Sequence, residues 1–115
     1  MSRKVVDLYK EAWESHSIDI LSSIFHEDIR YQEHCKNIII GIKNLNKYWI
    51  ENSKKQSNVN FSPIKVISNE NDTVIFWEAR FYDSIKCKSI HLQGIMWLSF
   101  KDDKIIELTE FFEHK

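Results

Sequence analysis

Residues 90–113 read IHLQGIMWLSFKDDKIIELTEFFE, and this stretch decides the architecture. Leu92, Gly94, Met96 and Leu98 alternate with Gln93, Ile95, Trp97 and Ser99. A period of two is what a pleated strand imposes, because successive side chains point to opposite faces. The polar KDDK at 101–104 is a turn, and alternation resumes in the segment that follows. Two strands joined so briefly form an antiparallel hairpin.

Working outward, the same period appears upstream. Asn58 to Ser68 and Thr73 to Ser84 are rich in Val, Ile, Phe and Trp, with turn-like NEND and DSIK after them. The spacing predicts strands over 58–68, 73–84, 88–100 and 104–113. Pro63 has no backbone donor, so its strand is an edge or is bulged there. The first half of the chain has another rhythm. Val5, Leu8, Tyr9, Ala12 and Trp13 follow helical spacing, which predicts an amphipathic helix over 3–15. Ser17 is placed to cap a second helix, Ile18 to Phe25. An extended stretch, Ile29 to His34, comes next, and Gly41 precedes a third helical pattern through Leu45, Tyr48 and Trp49. The expectation is an α+β domain spanning 1–115, with helices on one face of a curved antiparallel sheet. A long twisted sheet wrapped around short helices leaves a gap at its open end, and such a concavity is the default ligand site.

Composition narrows the function classes. A net charge of −1 with scattered Lys and Arg gives no nucleic-acid surface. No run reaches the roughly 18 apolar residues of a membrane span, and MSRKVVDLYKEAW lacks a signal-peptide core. Cys35 and Cys87 lack CxxC spacing, which suits a reduced, cytoplasmic protein. The five histidines show no HxH, HxxxH or HExxH pattern, so no metal is expected. With two glycines there is no phosphate loop either, and no cofactor is expected.

Four segments carry a likeness to a known family: LYKEAWESHSIDILSSIFHEDIRYQEH, GIKNLNKYW, IHLQGIMWLSFKDDKI and IELTEFFE. In order and spacing the chain resembles the SnoaL-like branch of the nuclear transport factor 2-like superfamily. The resemblance implies a conical, barrel-like curved sheet around three N-terminal helices. It does not fix a function, because that superfamily holds isomerases, cyclases, dehydratases, epoxide hydrolases and non-catalytic binding domains.

It does single out positions. Glu33 falls where isomerase-like members place a carboxylate general base, and Tyr9 where they place an oxyanion-donating tyrosine. Met96 stands where the isomerase needs a second, protonated donor. A thioether cannot donate, so a true ketosteroid isomerase is disfavoured. Glu110 matches the acidic residue of the cyclases and epoxide hydrolases. Two carboxylates whose surroundings separate their pKa values act as base and acid. Each has a plainer alternative: a solvated strand end for Glu33, a buried ion pair for Glu110, a core tyrosine for Tyr9. Trp13, Tyr31, Trp49, Trp77, Met96 and Phe112 are expected among the groups around a ligand, although most aromatics belong to the core. His34 stands where many relatives have proline, at the strand exit or pocket rim. Alternation separates Glu33 from His34, so the cluster EHC (33–35) is no dyad, and Cys35 is a bystander on Glu33's face.

The expected ligand is a hydrophobic small molecule handled by proton transfer, with Glu33 as base, Tyr9 as donor and Glu110 as acid. The alternative is a non-catalytic ligand-binding or structural module. Phe76, Tyr82, Ile95, Trp97 and Phe111 fall on the opposite face, an apolar surface that implies a homodimer through the outer sheet.

Overall fold

The computed structural model describes residues 2–34 and 36–115. Expectations for Cys35 lie outside the described residues.

Helix α1 (Ser2–Ser15) buries Val5, Val6, Tyr9 and Ala12 along one stripe. The Ser17 side chain accepts from the Ile20 amide and caps α2 (Ile18–Ile24). The chain turns extended at Phe25, so α2 ends at Ile24, one residue short of the expected end, and β1 (Phe25–Glu33) begins earlier than the apolar pattern suggested. Its first half is irregular: the register against its partner strand shifts between Phe25 and Arg30.

A short β2 (Ile39–Ile40) pairs with β1, and Gly41, at φ 88°, opens α3 (Ile42–Ser53). Gly41 adopts a backbone conformation that side chains disfavour. The meander follows as β3 (Gln56–Ser68), β4 (Asp72–Asp83), β5 (Lys88–Lys101) and β6 (Lys104–His114). Pro63 meets both of its conditions, since β3 is an edge strand and its register slips between Pro63 and Lys65.

The sheet is six-stranded, curved and unclosed, in the order β2-β1-β6-β5-β4-β3. It is not wholly antiparallel as expected: β1 and β6 run parallel. The cause is topological. After β1 the chain crosses through α3 to the far edge, meanders back, and inserts its last strand beside β1. Strands from the two ends of the chain thereby become neighbours.

Sheet alternation sorts the side chains as the sequence implied. Trp77, Ala79, Leu92, Met96, Leu98 and Leu108 are buried on the concave face under the helices. Phe76, Tyr82, Ile95, Trp97 and Phe111 are exposed on the convex one. Bulges elsewhere did not invert this sorting, because β4 keeps unbroken register against β5 from Asp72 to Asp83.

Candidate functional site

The parallel pairing of β1 and β6 sets Glu33 directly opposite Glu110, two residues beyond Tyr31 opposite Leu108. Both carboxylates point to the concave face, where each is nearly sealed from bulk solvent at 8% and 5% exposure. Like charges directly opposite one another on neighbouring strands repel. The fold keeps two acids side by side in an apolar setting only with groups that manage their charge.

Those groups are tyrosines and one lysine. The Tyr31 hydroxyl lies 3.2 Å from Glu33 Oε2 and 3.3 Å from Glu110 Oε1. Tyr48, from α3, donates a short hydrogen bond to the same Oε2 of Glu33. Lys36 Nζ donates to Glu33 Oε1 at 3.1 Å. Three donors therefore converge on Glu33, and none but Tyr31 is seen at Glu110 among the described residues. Burial pushes the Glu110 carboxyl up to about 8, and the neighbouring Glu33 adds to the rise; Tyr31 and Lys36 oppose it. Desolvation disfavours the charged form, so at neutral pH Glu110 is the protonated member of the pair. Burial first, then the adjacent carboxylates, raises the phenols of Tyr9 and Tyr31 well above their ordinary value. The Tyr48 phenol rises from the same two causes.

These groups open on a cavity of about 230 Å³. Its walls include Trp13, Trp49, Trp77 and Phe112, and its margin carries Lys36, Asn52, Gln56, Lys86 and His114. Trp13 is fixed there by its indole N–H, which donates to Gln56 Oε1 at 2.9 Å. Gly94 gives Trp77 its place. A β-carbon at 94 would stand 2.8 Å from the indole's Cζ2 and 2.5 Å from the Phe111 carbonyl oxygen.

Tyr9, Glu33 and Glu110 all line this one cavity, as do Trp13, Tyr31, Trp49, Trp77 and Phe112. Two expected wall residues do not. His34 is exposed on the convex face, its ring 4.9 Å from that of Phe111, because strand alternation turns it away from Glu33. Met96 is wholly buried in the core between Glu110 and Ile75, its partners on the flanking strands, and is not part of the cavity wall. Tyr48 and Lys36 were missed as polar members of the site. Tyr48 shares the apolar stripe of α3 with Leu45, and a tyrosine at the margin of such a stripe is the signal that could have found it. Among the described residues no three His, Cys, Asp or Glu side chains converge as metal ligands.

Residues 5–108 match the family model of the SnoaL-like domain, and the chain belongs to that family. Solved structures share the fold. An LEH-like epoxide hydrolase from M. tuberculosis is 9% identical, with a TM-score of 0.82 over 96% of this chain and 80% of the other. A hypothetical protein of ketosteroid isomerase-like fold from Catenulispora acidiphila, in complex with trimethylamine, is 14% identical, with a TM-score of 0.83 over 92% and 82%. An NTF2-like protein from Anabaena variabilis is 13% identical, with a TM-score of 0.84 over 99% and 87%. No curated protein sequence matches. Among the described residues no helix is long and apolar enough to cross a membrane.

Proposed function

We propose that this protein is a cofactor-free acid–base catalyst acting on a small hydrophobic molecule held in the concave cavity. One observation carries the reading: two buried carboxylates stand in register on adjacent strands, in unequal surroundings, at the wall of a cavity lined by aromatic rings and polar side chains. Glu33, on which three donors converge, serves as general base. Glu110 holds a proton at neutral pH and serves as general acid. Tyr9, buried beside them, supplies a hydroxyl to a developing oxyanion. Proton abstraction with return at another atom covers isomerisation, cyclisation and dehydration; directed at a water it covers hydrolysis.

The cavity's size sets the scale of the substrate. A cavity of about 150 Å³ takes benzene, so about 230 Å³ suits one ring with substituents. The test is α-proton exchange of a panel of single-ring ketones in D₂O, followed by ¹H NMR. The wild type exchanges faster than Glu33→Gln and Glu110→Gln. Equal rates for all three across the panel overturn the catalytic reading.

A second reading has its own support. Both acids are already bonded to protein donors, as in a module that binds a ligand without turning it over. A bound molecule found by native mass spectrometry, with no exchange activity, decides for it. In either case the convex face, with Ile95, Trp97 and Phe111 about half exposed, pairs two copies of the chain. The exposed free thiol of Cys87 suits a reducing, cytoplasmic setting.

A further inference from the structure

The Tyr31 hydroxyl touches both carboxylates, yet it has one proton to give. If both acids were ionised, one of those contacts would set a lone pair against a negative oxygen. Both become two-centre hydrogen bonds only when one carboxyl is protonated and donates to Tyr31, which then donates onward to the other. The contact geometry therefore holds two protons among three groups, with two possible arrangements. Either Glu110 donates to Tyr31 and Tyr31 to Glu33, or the whole chain of donors is reversed.

We propose that Glu33, Tyr31 and Glu110 form a single proton-sharing unit, and that Tyr48 and Lys36 act as positioning residues that decide which carboxylate carries the proton. This inference rests on the acid–base reading for its use, but not for its measurement. Exchange between the two arrangements is balanced. The Glu110 O–H bond breaks as its proton joins the Tyr31 oxygen, and the Tyr31 O–H bond breaks as its proton joins Glu33 Oε2. No charge leaves the unit. Two donors favour the first arrangement. Lys36 offers a cation to Glu33 Oε1, and Tyr48 offers a hydroxyl to Oε2; both favour the ionised form of Glu33. Glu110 has no such partners among the described residues. Tyr9 on α1 stays protonated throughout, since burial raises its phenol, and Asp83, Lys86 and His114 are the other titratable groups that line the cavity.

One consequence is an internal reset. A proton taken from a substrate by Glu33 travels through Tyr31 to a Glu110 that has just given its own away, with no water required. Another is control from the mouth. Lys36 is 61% exposed, so a ligand group that draws it off Glu33 weakens the bias and moves the proton toward Glu33.

The test uses the full chain with ¹³C-labelled glutamate carboxyls and no substrate. At pH 6.5 the wild type gives a protonated carboxyl shift for Glu110 and an ionised one for Glu33. In Lys36→Met and Tyr48→Phe, and most in the double variant, the Glu33 signal moves toward the protonated position while Glu110 moves the opposite way. Lys36 is exposed and Tyr48→Phe is conservative, so each single variant keeps the fold. A Glu33 signal that does not respond in either variant overturns the proposal, as does finding both carboxyls ionised at pH 6.5 in the wild type. If the proton moves as described but no ketone exchanges, the sharing unit stands and the catalytic reading fails.

Discussion

Replacing Glu110 with Gln tests the electrostatics of the site through stability. Gln keeps the shape of the protonated acid and never ionises. In the wild type the folded-state carboxyl sits at about 8, against 4.5 for its ordinary value. A raised carboxyl binds its proton more tightly when folded. Its contribution is therefore fully present below pH 4.5 and is lost as pH climbs toward 8. At about 1.36 kcal/mol per pH unit, the loss is on the order of 4–5 kcal/mol. Against a typical domain stability of about 5–15 kcal/mol that is large. Urea unfolding, followed by Trp fluorescence from pH 5 to 9, measures it. Near pH 5 the wild type and Glu110→Gln unfold at similar urea concentrations. By pH 9 the variant is the more stable by several kcal/mol, since the groups not coupled to Glu110 cancel in the difference. A difference that stays constant across the range refutes the assignment of a buried, protonated acid at Glu110.

Three further outcomes follow from named contacts. Tyr48→Phe deletes a hydrogen bond to a charged carboxylate and lowers stability by about 1.5–3 kcal/mol at pH 7, read from the urea midpoint. Gly94→Ala forces a β-carbon within 2.8 Å of Phe112 Cβ and closer still to the Phe111 carbonyl. A backbone oxygen cannot step aside as a side chain would, so the loss is about 3 kcal/mol, and calorimetry gives a lower Tm. Ile95→Lys places a charge on the convex face where half of the isoleucine is exposed. If the convex face pairs two copies as proposed, sedimentation velocity gives a dimer for the wild type and a monomer for the variant, while unfolding of the monomer is little changed; a wild type that sediments as a monomer overturns the pairing.

Local pattern carried most of the architecture. Period-two alternation in 88–100 and 104–113 set the faces of β5 and β6, and helical spacing set the buried stripe of α1. Both follow from covalent geometry, and both can be read along the chain. The bulged start of β1 could not be read this way, because its polar HED carries no apolar rhythm. The same limit explains His34, where an argument from relatives pulled against the alternation, and the alternation decided.

The sequence by itself determined which side chains each strand offers to which face. It also placed Glu33, Glu110 and Tyr9 on inward-facing positions, the two carboxylates with the help of family resemblance. Only the tertiary structure decided that Glu33 and Glu110 are neighbours. That depends on β6 inserting in parallel beside β1, a pairing between segments 77 residues apart in the chain. It also decided the chemistry of the pair. The charge of a carboxylate is set by what surrounds it in space: one acid received Tyr48 and Lys36, and the other received burial.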